Sequence, residues 1–139
     1  GRNQINIMET IFTKIIKGEI PSYKVAENDK FYSFLDISPL AKGHTLVVPK
    51  VQNDYIFDLD DQTLAEMMVF AKKVALAVEK ACPCKRIGVA VIGLDVPHTH
   101  IHLVPINNVG DLDFKKERVK LTEEEFKSTA AAIAAEFKD

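Results

Sequence analysis

The chain has little of several things that would settle its class early. Its 139 residues hold two cysteines, Cys82 and Cys84, separated only by Pro83. That spacing is too short for an ordinary disulfide and makes a poor zinc pair. A disulfide-stapled scaffold is thereby excluded, and both are expected as free thiols in a reducing cytoplasm. No charge of one sign dominates: 18 basic residues stand against 20 acidic ones, a net charge of −2. The signs are mixed along the chain, which leaves no nucleic-acid-binding face and no membrane-surface helix. No apolar run approaches the ~20 residues that cross a bilayer. Neither an internal repeat nor a low-complexity linker divides the chain. Residues 1–7 are polar and carry no secretory signal. They read as an N-terminal extension, tag-derived or disordered, with Met8 as the natural start and residues 8–139 as one cytoplasmic domain.

What is present is ordinary globular composition, 47% hydrophobic and 27% charged, enough for a real core. Ile11 to Lys17 reads as a short helix closed by Gly18 and Pro21. Tyr23 to Ala26 and Phe31 to Leu35 read as hairpin strands around Glu27-Asn28-Asp29-Lys30. Thr45 to Pro49 is a β-branched strand entered through Gly43. Asp60 can cap a long helix to about Ala81, with Leu64, Met67, Met68, Ala71, Val74, Ala75 and Val78 at helical spacing. That helix also carries Val69, Phe70, Leu76 and Ala77 beyond one stripe, and so is expected to be buried on most sides. Arg86 to Ile92 and Thr99 to Ile106 read as an antiparallel pair joined through Gly93-Leu94-Asp95-Val96-Pro97. Thr122 to Glu125 fits a capping box, followed by a stripe of Phe126, Ala130, Ile133, Ala134 and Phe137. Antiparallel strands with helices set apart give an α+β domain.

The most informative stretch is His98 to Pro105. In extended backbone, side chains two apart share a face. His98, His100 and His102 therefore line one face, and Thr99, Ile101 and Leu103 the other. Three of only four histidines sit here. Imidazoles in a row supply metal ligands or nucleophile and acid–base groups near neutral pH, and the row by itself leaves both open.

Three blocks together resemble the histidine-triad (HIT) family. They are Ile11-Phe12-Thr13-Lys14-Ile15-Ile16-Lys17-Gly18-Glu19-Ile20-Pro21-Ser22, then Phe34 to Lys50 with Asp36 and Gly43-His44-Thr45, then the His-x-His-x-His row ending at Pro105. The resemblance implies an α+β, HIT-like fold: a five-stranded antiparallel sheet with helices on one side, pairing in a homodimer into a ten-stranded sheet. Ile87, Val89 or Val91 would then meet the partner's copy of the same strand. It implies a nucleotide hydrolase or transferase that attacks the α-phosphate of a purine nucleotide. His100 matches the nucleophile, forming a covalent nucleotidyl-histidine that water then hydrolyses. His98, His102 and His44 match the remaining family histidines, expected as N–H donors to the phosphate. Asp36 matches the ribose-binding carboxylate, its plainer alternative being a turn-forming aspartate. Ile11, Phe12, Phe34, Leu35 and Ile37 match apolar positions that hold the base, with Val96 beside them. Such a slot would read the base poorly.

The chain departs from the family at three places. Thr10, Thr13 and Gln52 stand where many relatives carry zinc ligands, so no metal and no cofactor are expected. The loop before the triad is short and puts Asp95 where a hydroxyl or amide helps the leaving group; a carboxylate there repels phosphate. The family asparagine upstream has no clear counterpart among Val89 to Ile92. Candidate substrates are phosphoramidates, adenylates and dinucleoside polyphosphates. The chain runs on well past His102, which resembles the longer bacterial branch. Two other readings stand beside this one: a nucleotide-binding sensor with little or no turnover, and a metalloprotein built on the triad.

Overall fold

Period-two alternation in three strands sorts the side chains of the sheet into two sets. In β2 (Phe31–Leu35), Phe31 and Leu35 point one way and Tyr32 and Phe34 the other. In β3 (Thr45–Pro49), Val47 joins the first set and Leu46 and Val48 the second. In β5 (Ile101–Ile106), Ile101 and Leu103 belong to the first. The computed structural model, which describes residues 8–139, completes the sheet with β1 (Lys24–Glu27) and β4 (Arg86–Ala90). The order is β1-β2-β3-β5-β4 and every pairing is antiparallel. The expected five-stranded α+β architecture is the one found. The 1–7 extension lies outside the described residues.

The first face carries the main core. Asp60 caps α2 (Asp61–Ala81) by accepting from the Thr63 amide at 2.7 Å. The helix buries Met67, Phe70, Ala71, Val74, Ala77 and Val78 against Phe31, Leu35, Val47, Ile101 and Leu103. Burial of one such large apolar side chain stabilises by roughly 1.5–3 kcal/mol. Phe70 and Ala77, expected on a second face, are core residues; Phe70 meets Phe31 at 5.7 Å between centroids. Val69, Leu76 and Met68 stay exposed. The expected capping box opens α3 (Glu123–Glu136), with Thr122 and Glu125 bonded reciprocally. Its buried stripe is Phe126, Thr129, Ala130 and Ile133, with Phe137 half-buried; Ala134 turns to solvent and Thr129 takes its place.

The long helices share one side, as expected, but the short α1 (Ile11–Ile16) lies on the other. There Phe12 and Ile15 pack on Tyr32, Phe34, Leu46 and Val48. Two strands are also shorter than expected: β4 stops at Ala90 and β5 starts at Ile101. Pro49 explains the second case. It sits opposite the approach to β5, has no N–H to donate, and gives its carbonyl to the His98 ring at 2.9 Å. The Thr99 amide turns instead to the Asn53 carbonyl at 2.6 Å. His98 and His100 therefore precede the ladder.

One turn sets the entry to β3. Gly43 has φ of +97°, and a Cβ there would lie 2.6 Å from the Cys82 sulfur. Cys82 is buried, and both it and Cys84 are free thiols. A left-handed non-glycine residue costs roughly 1–2 kcal/mol and overpacking a further 1–3. Gly43→Ala should therefore lower stability by about 2–4 kcal/mol in urea unfolding, and Cys82→Ala in the same chain should recover part of that loss. An unchanged midpoint for Gly43→Ala would show that neither constraint operates.

Candidate functional site

The sheet face under α1 is where the histidines gather. Phe12, delivered by α1, stands edge-on to His100 at 5.0 Å and to His98 at 5.7 Å, and meets Phe34 at 5.5 Å. Thr10 caps the helix by accepting from the Thr13 amide. His98 and His44 are sealed from solvent, while His100 and His102 each keep 8% exposure.

The proton on each imidazole follows from its fixed neighbours. A carbonyl only accepts and an amide N–H only donates. His100 Nδ1 lies 2.7 Å from the His98 carbonyl, so Nδ1 carries the proton and Nε2 keeps its lone pair. His98 donates from Nε2 to Pro49 O, so its Nδ1 accepts from the Thr10 hydroxyl at 2.6 Å. His44 Nδ1 accepts from the Leu40 amide at 3.0 Å, so its proton sits on Nε2. That N–H donates to His102 Nδ1 at 2.9 Å, which leaves His102 protonated on Nε2. With the rings neutral, and among the described residues, His100 Nε2 is left as a free base and His102 Nε2–H is left uncommitted.

This narrows the expected roles. His98 and His44, expected as N–H donors to a phosphate, have both ring nitrogens engaged within the chain. Burial, reinforced by the neighbouring imidazoles and by Arg118, holds His44 at about 3 and His102 at about 4. Burial also lowers His98. Asp36 shows the opposite effect of the same cause: burial raises its carboxyl, while the Ser38 amide at 2.8 Å and the charge of Arg118 pull it back down. Its other oxygen lies 3.5 Å from His44 Nε2.

Of the remaining candidates, Phe12, Phe34 and Val96 pack together beside the triad. Ile11 and Ile37 are exposed at the margin, and Asp95 is exposed on the loop before His98. Leu35 is not brought to this face: strand alternation sends it into the helix-side core. Sequence reasoning missed Phe114 and Arg118. The Phe114 ring stands edge-on to His102 at 4.7 Å, and the Arg118 guanidinium lies 5.6 Å above that ring. Neither sits in a periodic or motif-bearing stretch. Beyond His100 an apolar groove of about 670 Å³ runs past Tyr55, Met68, Val89, Val91 and Leu94 to the edge of the sheet.

Two places bear on metal binding. Asp36, His44 and His102 bring their ligand atoms within 4.8 Å of one another. The donor set does not suit an ion as it stands, because the His44 nitrogen facing the group carries the proton. At the other place, Thr13 Oγ1 donates to Gln52 Oε1 at 2.7 Å, and the same oxygen accepts from the Thr10 amide at 3.0 Å. Hydroxyls and an amide, already bonded to each other and to His98, are not a zinc-type donor set.

Comparison with known proteins converges on one family. A family model described as the HIT domain matches residues 17–109. An uncharacterized HIT-like protein of Borreliella burgdorferi is 34% identical over 134 residues, covering 91% of this chain and 96% of that one. The adenosine 5′-monophosphoramidase of Saccharomyces cerevisiae is 40% identical over 96 residues, 68% of this chain and 61% of the yeast protein. Among solved structures, a Hit-like protein from Bartonella henselae superposes with a TM-score of 0.82 at 32% identity, covering 96% of this chain and all of that one. A Zn-bound histidine triad family protein from Mycobacterium smegmatis gives 0.75 at 30% identity, covering 90% and 93%.

The buried neutral histidines make stability depend on acidity. Their folded values lie below the unfolded 6.5, so between about 6.5 and 4 the unfolded chain binds more protons than the folded one. Stability is then full above about pH 6.5 and falls as pH drops, by up to about 1.4 kcal/mol per pH unit for each such histidine. The thermal midpoint should drop clearly between pH 7 and pH 5. A flat profile over that range would mean that these imidazoles are not held neutral.

Proposed function

We propose, from the premise that this chain belongs to the HIT family, that it is a nucleotide hydrolase or transferase working through His100. The observation that carries the reading is the proton pattern: His100 Nε2 is a free base while its Nδ1–H is tied to the His98 carbonyl. An imidazole so held is a nucleophile with its other nitrogen ready to stabilise the cation that forms on attack. The Nε2 lone pair makes the bond to the α-phosphorus, and the leaving group departs with the electron pair of the bond that breaks. Water then displaces the histidine from the nucleotidyl intermediate. His102 Nε2–H, left uncommitted by the bond from His44, would meet charge growing on the phosphoryl oxygens.

Asp36 would take the ribose diol, and the Phe12, Phe34 and Val96 surface with Ile11 and Ile37 at its margin would take the base. Yeast relatives that are adenosine 5′-monophosphoramidases support a purine phosphoramidate as the first substrate to try; adenylates and dinucleoside polyphosphates follow. Asp95 on the leaving-group loop favours the second reading, a nucleotide-binding sensor with little turnover. Turnover of an adenosine phosphoramidate by the wild-type chain separates the two.

A homodimer belongs to the same reading. β4 is a sheet edge, and Val89 is 51% exposed on it. Unpaired edges are normally covered, and the apolar groove beside this one is continuous with His100. A second copy related by two-fold symmetry would bury both at once. Sedimentation at micromolar concentration should show twice the 15.5 kDa chain mass; a single species at the chain mass would rule the dimer out.

For the chemistry, His100→Ala should keep the wild-type thermal midpoint to within a few degrees, since the ring faces a pocket. Turnover should fall by at least about a thousandfold, because loss of the nucleophile removes a pathway rather than one contact. Transfer of label from a substrate's α-phosphate to the protein should vanish with it. Activity like that of wild type would end the mechanism.

A further inference from the structure

Past the end of the family match at residue 109, the chain turns back over the site. A turn at Asp113, whose backbone and side-chain oxygens accept from Lys116 and Lys115, redirects it. Phe114 then covers the histidine pair, edge-on to His102 at 4.7 Å and to His44 at 6.2 Å. Arg118 reaches across, donating from Nη1 to the Ser38 carbonyl at 2.7 Å and from Nη2 to the Phe114 carbonyl at 3.2 Å. The Val119 amide donates to the Pro39 carbonyl at 2.9 Å. Both cross-links land on Ser38-Pro39, between Asp36 and His44.

The loop connects β2 to β3, and three of its inner bonds serve the site: Ser38 N to Asp36 Oδ1, Asp36 N to the His44 carbonyl, Leu40 N to His44 Nδ1. Its far end is held separately, by the His44 amide on the Ala41 carbonyl and by the buried Leu40, so the exposed Ser38 end is the part that Arg118 secures. A shift at Ser38 therefore moves the Asp36 carboxylate and the amide that sets the His44 proton together. The guanidinium is also a cation close enough to Asp36 to favour its ionised form, and an ionised carboxylate offers a diol acceptors alone. A half-buried arginine bridging two backbone carbonyls is a costly way to decorate a surface, since its fork is committed to fixed partners.

We propose that the segment from Asp113 to Val119 is a working wall of the nucleotide site, in which Arg118 is a positioning residue that holds the Asp36 loop in its sugar-binding shape. The proposal rests on the reading of Asp36 as the ribose contact. It assigns a role in the site to chain beyond the segment that defines the family.

A double-mutant cycle tests it, with AMP and 2′,3′-dideoxy-AMP as titration probes and adenosine phosphoramidate as substrate. Arg118→Ala should weaken AMP by about tenfold, the worth of one charge-assisted positioning contact. KM should rise by a similar factor, with kcat changed far less. The loss should vanish in the Asp36→Ala background and be absent for the dideoxy probe. Arg118→Lys keeps the charge and one of the two bonds, so it should bind AMP with intermediate affinity; it also carries the test if the alanine variant unfolds at assay temperature. An Arg118→Ala loss of equal size with and without Asp36, or equal for both probes, overturns the proposal alone. An Asp36→Ala chain that binds AMP as wild type does would overturn the sugar reading and the proposal with it.

Discussion

A hydrogen bond of 2.7 Å within one strand approach, from His100 Nδ1 to the His98 carbonyl, is the constraint on which the rest of the site depends. It works only if His98 is itself fixed, and Pro49 O and Thr10 Oγ1 do that from either side. Thr10 is in turn the cap of α1, and Pro49 is the last residue of β3. A tautomer is thus determined by where a helix begins and where a strand stops. The same logic runs through the second pair, from the Leu40 amide through His44 to His102. Acceptor and donor alternate along both chains of contacts, so each proton has one place to go. Burial then penalises an extra proton on His98, His44 and His102.

Much of this was legible in the sequence, and the limits have physical causes. β2 and β3 have the bounds their β-branched and aromatic runs suggest, because alternation and burial agree there. The histidines do share a face, yet β5 begins only at Ile101, since a proline in the neighbouring strand cannot extend the ladder. Leu35 was readable too: it follows Phe34 by one residue and so must face the other way. Matching by resemblance ignores that parity. His98 and His44 were identified as site residues, but a side chain whose partners are backbone groups 49 or 4 residues away looks the same in sequence as one that faces ligand. Phe70 and Ala77 show a related limit, since a stripe wider than one face can mean a broad core as easily as a second interface.

Phe114 and Arg118 gave no sequence signal at all. They lie in a stretch with neither helical nor strand periodicity, between a short 3-10 turn and α3. Their role is set by where the chain folds back. Thr10 was conspicuous only as a missing ligand. In the folded chain it has a positive use, because a hydroxyl can donate to His98 while accepting from the Thr13 amide.

The bonds that pick each tautomer can be local, but several contacts that hold the rings and their loops in place join residues far apart along the chain. Thr10 meets His98 across 88 positions, Arg118 meets Ser38 across 80, and His44 meets His102 across 58. Contacts of such long range form late, after loop-closure entropy has been met by the surrounding core. An imidazole left in water exchanges freely between its two tautomers. The free-base nitrogen at a defined position is therefore a property of the finished molecule, which no single helix or strand carries by itself.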